Sequence, residues 1–209
     1  MPTAAPNARS NFPAQRITTP LGWADLVLGP ETMHELSALR AWLQHRHTWL
    51  KDGGPARLLK PGHRSLFLGP PDTAKTQAAT LLGQEAGLAV YRVDLSRLAG
   101  KYIGETEKNL DRVFDRAQAE NWLLFFDEAD ALFGQRSTAS GSHARHANQE
   151  VGYLLQRMEA YSGLAILASN LKDNIDPAFV RRFQSLVHFA QPDAERQRPE
   201  DRVIPPARR

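Results

Sequence analysis

Short apolar runs alternate along this chain with longer stretches in which apolar residues recur every three to four positions. The runs at 65–68, 90–94, 122–127, 164–169 and 185–189 are bounded by polar residues, Gly or Pro, and predict five strands. Leu110, Val113, Phe114 and Ala117 repeat at i, i+3, i+4, i+7, as do Val151, Leu154, Leu155 and Met158, so each set predicts a helix with one buried stripe. Further helices are predicted over 31–50, with Leu36, Leu39, Leu43 and Leu50 inward, and over 73–86. Strands alternating with helices imply an α/β fold, a parallel sheet covered on both faces. Ligands of such sheets bind at the carboxyl ends of the strands, which directs attention to the loops after Leu68, Phe126 and Ser169.

Composition divides the chain further. Residues 1–20 hold four of the 14 prolines and residues 191–209 hold four more, with no apolar period, so both read as unordered tails around one domain at 21–190. The 209 residues suffice for one sizeable core and not for two full domains. Two arginines without an acid in 1–20, and five arginines against four acids in 191–209, account for the whole net charge of +3. The body is neutral, so the basic pI of about 9.4 supplies no footprint for nucleic acid. The chain has no cysteine, which excludes disulfides, thiolate zinc sites and a Cys nucleophile and fits a reducing compartment. No apolar run approaches the ~20 residues that span a bilayer, and 1–20 lacks the apolar centre of a signal peptide. A cytoplasmic protein without a membrane partner is expected.

After the first predicted strand come Gly69, Pro70, Pro71, Asp72, Thr73, Ala74, Lys75 and Thr76, then a helix. Such a loop turns backbone N–H groups toward phosphate oxygens; its Lys reaches the terminal phosphates, and its Thr hydroxyl joins a magnesium shell. The pattern requires Gly where Ala74 stands, which fits a backbone conformation that a Cβ disfavours by about 1 kcal/mol, and a methyl there also crowds the phosphates. Asp72 adds a carboxylate where a triphosphate would lie. The octapeptide alone is equally compatible with a Pro-rich turn whose Lys75 is a solvated charge.

The run LLFFDEAD shifts that balance, because an apolar strand delivers Asp127 and Glu128 to its carboxyl end. One carboxylate there can serve the metal and the next can deprotonate an attacking water. The run ILAS ends in Asn170, whose amide suits either a γ-phosphate or a turn. In DPAFVRRF, Arg181 and Arg182 suit transferring phosphoryl charge or ordinary ion pairs. His143 and His146, in the polar stretch 134–147, lack further ligand candidates and read as a solvated loop.

In order, GPPDTAKT, LLFFDEAD, ILASN and DPAFVRRF resemble the AAA+ ATPases, specifically the AAA clade whose members remodel proteins. The resemblance covers about 21–190 and implies a P-loop NTPase three-layer sandwich with a five-stranded parallel sheet, the large subdomain of that family. It implies ATP and Mg2+ as ligands, with residues 69–76 as the phosphate loop, Thr76 and Asp127 on the metal, Glu128 as catalytic base and Asn170 as the first sensor. Arg181 and Arg182 resemble arginine fingers acting on the ATP of an adjacent subunit, which implies a ring, usually a hexamer. The segment WADLVL, with Asp25 and Val27, resembles the part that packs on adenine. KYIGE resembles a first pore loop in which Tyr102 and Ile103 grip a polypeptide, and 134–147 stands in the place of a second.

GETEKNL, FFDEADALFG, HANQE and YLLQRMEAY are similar to a bacterial branch associated with contractile injection systems. The family continues into a helical lid, for which residues 191–209 offer no apolar period. A lid missing through truncation or a shifted frame is therefore expected. Two functions follow from the resemblance: a protein-remodelling ATPase, or, through Asp72, Ala74 and the absent lid, a hydrolysis-deficient scaffold that lends arginines to a partner.

Overall fold

The computed structural model describes residues 12–51, 62–98, 104–130, 142–170 and 177–191. Its sheet has six strands, β1 (Ala14–Ile17), β2 (His63–Leu68), β3 (Val90–Asp94), β4 (Leu123–Asp127), β5 (Leu164–Ser169) and β6 (Ser185–His188), in the order β1-β3-β4-β5-β2-β6. The five predicted strands are mutually parallel.

The sixth strand corrects the expectation of an unordered segment 1–20, because Ala14–Ile17 pairs antiparallel with β3 from Ala14↔Val93 to Ile17↔Val90. Its own burial pattern is weak, with Gln15 and Arg16 exposed, so the pairing comes from the open edge of β3 rather than from local periodicity. Phe12 adds an anchor, edge-on to Trp122 at 6.1 Å between ring centres.

The helices are α1 (Pro30–Lys51), α2 (Lys75–Glu85), α3 (Leu95–Leu98), α4 (Glu105–Glu120), α5 (Ser142–Ala160) and α6 (Pro177–Val180). Side chains alternate across β2, so Leu66 and Leu68 face a core shared with α4 and α5, while Phe67 faces one shared with α1 and α2. Leu36, Leu39 and Leu43 are buried as predicted; the side chain of Leu50 lies outside those described.

Helix α2 begins later than predicted because Asp72 and Ala74 both have positive φ, which keeps the backbone out of the helix until Lys75. Helix α5 begins earlier: the backbone from Ser142 is helical, whereas 134–147 was expected as loop. Its apolar stripe starts only at Val151, so periodicity could not locate its first turns. The side chains of His143 and His146, like residues 131–141, lie outside the described set. No described helix is long and apolar enough to cross a membrane.

The chain runs from β2 through α2 to β3, passing over β5 and β4, so the carboxyl end of β2 opens onto a crevice where the strand order reverses. That crevice is the candidate site.

Candidate functional site

The carboxyl ends of β2, β3, β4 and β5 surround a cavity of about 560 Å3, which takes in residues 71–77 of the loop and α2, Arg92, Asp127, Glu128 and Asn170. Its opposite wall is Leu21, Asp25, Leu26 and Val27, from and around the 3-10 turn Trp23–Asp25. The loop residues 71–76, Asp127, Glu128, Asn170, Asp25 and Val27 singled out from sequence therefore converge on one space. Gly69 and Pro70 do not line it; their carbonyls accept from Lys75, which does.

Gly69 is required by close approach: a Cβ there would stand 2.2 Å from the Phe189 carbonyl oxygen. The backbone of Gly69 donates to the Ser169 carbonyl at 3.2 Å and that of Phe189 to Leu68 at 2.7 Å, which ties the loop to both neighbouring strands. The Lys75 ammonium is buried and donates to the carbonyls of Gly69 (2.7 Å) and Pro70 (2.6 Å), to Asn170 Oδ1 (3.0 Å) and to Thr73 Oγ1 (3.3 Å). Burial lowers its pKa, and Asp127, Asp130 and Asp72 counteract that shift. The first turn of α2 has no side-chain cap, since its N-cap is Ala74, so its N–H groups and dipole remain for an anion.

Strain concentrates here. Of the non-glycine residues with positive φ among those described, Asp72 (61°), Ala74 (62°) and Glu128 (57°) line the cavity, and Asn121 does not. At Ala74 a methyl occupies the left-handed conformation that the motif's glycine would adopt without cost. At Glu128 the same conformation follows the last residue of β4, with its N–H donating to Asp127 Oδ1 at 3.0 Å.

Two residues not assigned a role from sequence belong to the site. Arg92 Nη2 lies 2.8 Å from Asp127 Oδ2. A charged residue one pleat from the end of an apolar parallel strand is the signal that would have found it. Asp130 accepts from the Ser169 hydroxyl and, with both oxygens at 3.0 Å, from the Asn170 N–H, which fixes where β5 ends and where the Asn170 amide starts.

Arg181 and Arg182 are exposed at the end of α6 and do not line this cavity. Arg182 pairs with Glu159 at 3.5 Å, and its carbonyl accepts from Arg64 Nε at 2.8 Å; the Arg181 guanidinium has no partner among the described residues. Tyr102 and Ile103 lie outside the described residues.

No group of three or more His, Cys, Asp or Glu side chains among the described residues could hold a metal alone. A cation here would share its shell with a phosphate ligand, and the donor set suits that: an uncapped helix start and a buried ammonium for the anion, a Thr hydroxyl and a carboxylate for a hard divalent ion. The methyl of Ala74 and the carboxylate of Asp72 are the features that oppose it.

Residues 65–191 match the family described as "ATPase family associated with various cellular activities (AAA)". An uncharacterized AAA family ATPase of Sinorhizobium fredii is 33% identical over 191 residues, covering 90% of this chain and 56% of the relative. Cell division protein C of Sulfolobus acidocaldarius is 31% identical over 142 residues, 64% of this chain and 38% of the relative. The human ATPase family gene 2 protein homolog A is 29% identical over 186 residues, 85% and 20%. The chain thus spans about half the first of these relatives and less of the others. The crystal structure of the FIGL-1 AAA domain superposes with a TM-score of 0.66 at 23% identity, over 90% of this chain and 60% of that one, a likeness of fold.

Proposed function

The chain belongs to the AAA family of ATPases, and on that premise we propose that the cavity binds Mg2+-complexed ATP and hydrolyses it to drive work on a polypeptide. The observation that carries this reading is the convergence of Lys75, Asp127, Glu128 and Asn170 around an uncapped helix N-terminus.

On nucleotide binding the Lys75 ammonium exchanges its contacts with the loop carbonyls for phosphate oxygens, a stronger charge-assisted interaction in a partly desolvated place. The N–H groups at the start of α2 take the remaining phosphate charge. Thr76 and Asp127 are the residues that would hold Mg2+, which when bound neutralises phosphate charge and aligns the terminal phosphoryl group. Glu128, exposed to the cavity, orients a water and accepts its proton, while Asn170, its backbone N–H held by Asp130 and its Oδ1 accepting from Lys75, borders the same space. Asp25 and Val27 face the base.

In this reading Arg181 and Arg182 serve the site of a neighbouring subunit in an oligomeric ring, the assembly general to the family, and Tyr102 and Ile103 contact the polypeptide. A second reading is favoured by one observation, the pairing of Ala74 and Asp72 at positive φ in the loop. That pairing weakens nucleotide binding and suits a scaffold subunit that contributes arginines without turnover.

Steady-state ATP hydrolysis by the unaltered chain, by Glu128→Gln and by the double variant Asp72→Gly/Ala74→Gly separates the two. Turnover in the unaltered chain that Glu128→Gln abolishes supports the enzyme. Turnover that appears only in the double variant supports the scaffold.

A further inference from the structure

The geometry points to Trp23, Arg40 and Glu85 as a positioning clamp that sets the cavity wall facing the base, so that the site reads the base as well as the triphosphate. This rests on the reading of the cavity as a nucleotide site, and extends it to residues outside the cavity.

Three elements distant in sequence meet at Glu85, the last residue of α2. Arg40, from α1, donates Nε to Glu85 Oε2 at 2.8 Å and Nη2 to Oε1 at 2.7 Å, a fork that fixes both planes. The Trp23 indole N–H donates to the same Oε2 at 3.2 Å, and the Arg40 guanidinium lies 5.0 Å from the centre of the Trp23 ring. The indole is therefore held by its edge and by its face. The Arg40 hydrogen bonds also keep the Glu85 carboxyl below its ordinary pKa, so the clamp is charged at neutral pH.

Trp23 matters because of what adjoins it. Among the described residues its turn makes only local backbone bonds, Asp25 to Gly22 at 3.1 Å and Leu26 to Trp23 at 3.3 Å, with the Gly22 N–H on Asp25 Oδ2 at 2.7 Å. None of these ties the turn to the sheet. The clamp and the packing of Trp23, Leu26 and Leu28 on the core do so. Leu21 and Val27, which flank the turn, are the exposed large hydrophobic residues among those described, at 39% and 47%, and both line the cavity. Apolar side chains exposed to a cavity whose far end holds a buried ammonium and an uncapped helix start suit a ligand with a flat apolar ring at one end and phosphates at the other.

Helix α2 supplies the ruler. Its 11 residues open at the phosphate loop with Lys75 and end at Glu85, roughly 15 Å along its axis. The clamp thus references the base wall to the element that carries the phosphate end.

The test is calorimetric titration of the full chain and its Glu85→Gln, Arg40→Lys and Trp23→Phe variants with Mg-ATP and, separately, with Mg-tripolyphosphate, which lacks base and sugar. For Glu85→Gln the expected result is ATP affinity lower by about tenfold with tripolyphosphate affinity within about twofold. Arg40→Lys and Trp23→Phe, which keep charge and packing respectively, fall between. Amide exchange at Asp25 and Leu26 accelerates in Glu85→Gln while β2 stays protected. Equal losses for both ligands, or none, overturn the clamp even though the unaltered chain still prefers ATP. An unaltered chain that binds tripolyphosphate as tightly as ATP overturns the nucleotide reading itself, and the base wall with it.

Discussion

Arg92 on β3 reaches Asp127 at the end of β4, with Nη2 2.8 Å from Oδ2, although the residue in register with Asp127 is Asp94. Two carboxylates side by side at adjacent strand ends repel, and Arg92, two residues before Asp94 on the same face, offsets that repulsion. Arg92→Ala is expected to weaken metal-free ATP binding about fivefold, since a cation leaves a cavity that also holds Asp72, Asp127 and Glu128. With Mg2+ present the deficit shrinks, because the released Asp127 is free for the metal. Fluorescence titrations with and without a chelator measure both; a deficit that grows with Mg2+ contradicts this account.

Ala74 carries its methyl at φ 62° and ψ 14°. Ala74→Gly is expected to stabilise the fold by up to about 1 kcal/mol, a rise in Tm of roughly 2–4 °C. It also strengthens nucleotide binding. Asp72→Asn removes charge while tolerating the same left-handed backbone, so it raises ATP affinity with little change in Tm. Thermal melts and titrations of the two single variants separate strain from repulsion.

Burial, with Arg64 beside it, pushes the His63 imidazole down to about 4 from 6.5. In the unfolded chain the ring keeps its ordinary affinity for protons, so between pH 6.5 and 4 the unfolded state binds the proton that the folded state refuses. Stability from this residue is therefore full above about pH 6.5 and falls by roughly 3 kcal/mol as pH drops to about 4. His63→Gln is expected to flatten that limb of the stability profile in urea denaturation, while the unaltered chain declines.

Arg64 secures the turn that presents the arginine pair. Its Nε holds the Arg182 carbonyl at 2.8 Å, and its backbone exchanges bonds with Gln184, N to Oε1 at 2.9 Å and O from the Gln184 N–H at 3.0 Å. Arg64→Ala is expected to cost about 2 kcal/mol by urea denaturation, because the part-buried Arg182 carbonyl loses its charged donor. If the pair acts in trans, turnover falls as well, with ATP affinity unchanged.

Most of the sheet and several residues that line the cavity were legible in the sequence because they obey local rules. Parallel strands buried on both faces read as apolar runs; Asp127 and Asn170 stand at the ends of two such runs, and Lys75 opens the helix after a third. Strand β1 was not legible, since Gln15 and Arg16 face solvent and its pairing depends on the distant edge of β3. Nor were the start of α5, with no apolar stripe before Val151, or the clamp, whose Trp23, Arg40 and Glu85 have no local pattern and meet only in three dimensions. At Ala74 the conflict was legible and its form was not: the sequence has a Cβ where the loop requires none, and the backbone adopts the left-handed form regardless.

The central claim is that residues 69–76 cradle the phosphates of a nucleotide, with Lys75 releasing the carbonyls of Gly69 and Pro70 to do so. Calorimetric titration of Mg-ATP into the unaltered chain and into Lys75→Ala tests it most directly. The account predicts saturable binding by the unaltered chain and a loss of about a hundredfold or more in Lys75→Ala, with both proteins folded. Equal affinity in the two, or no binding to the unaltered chain, would contradict it.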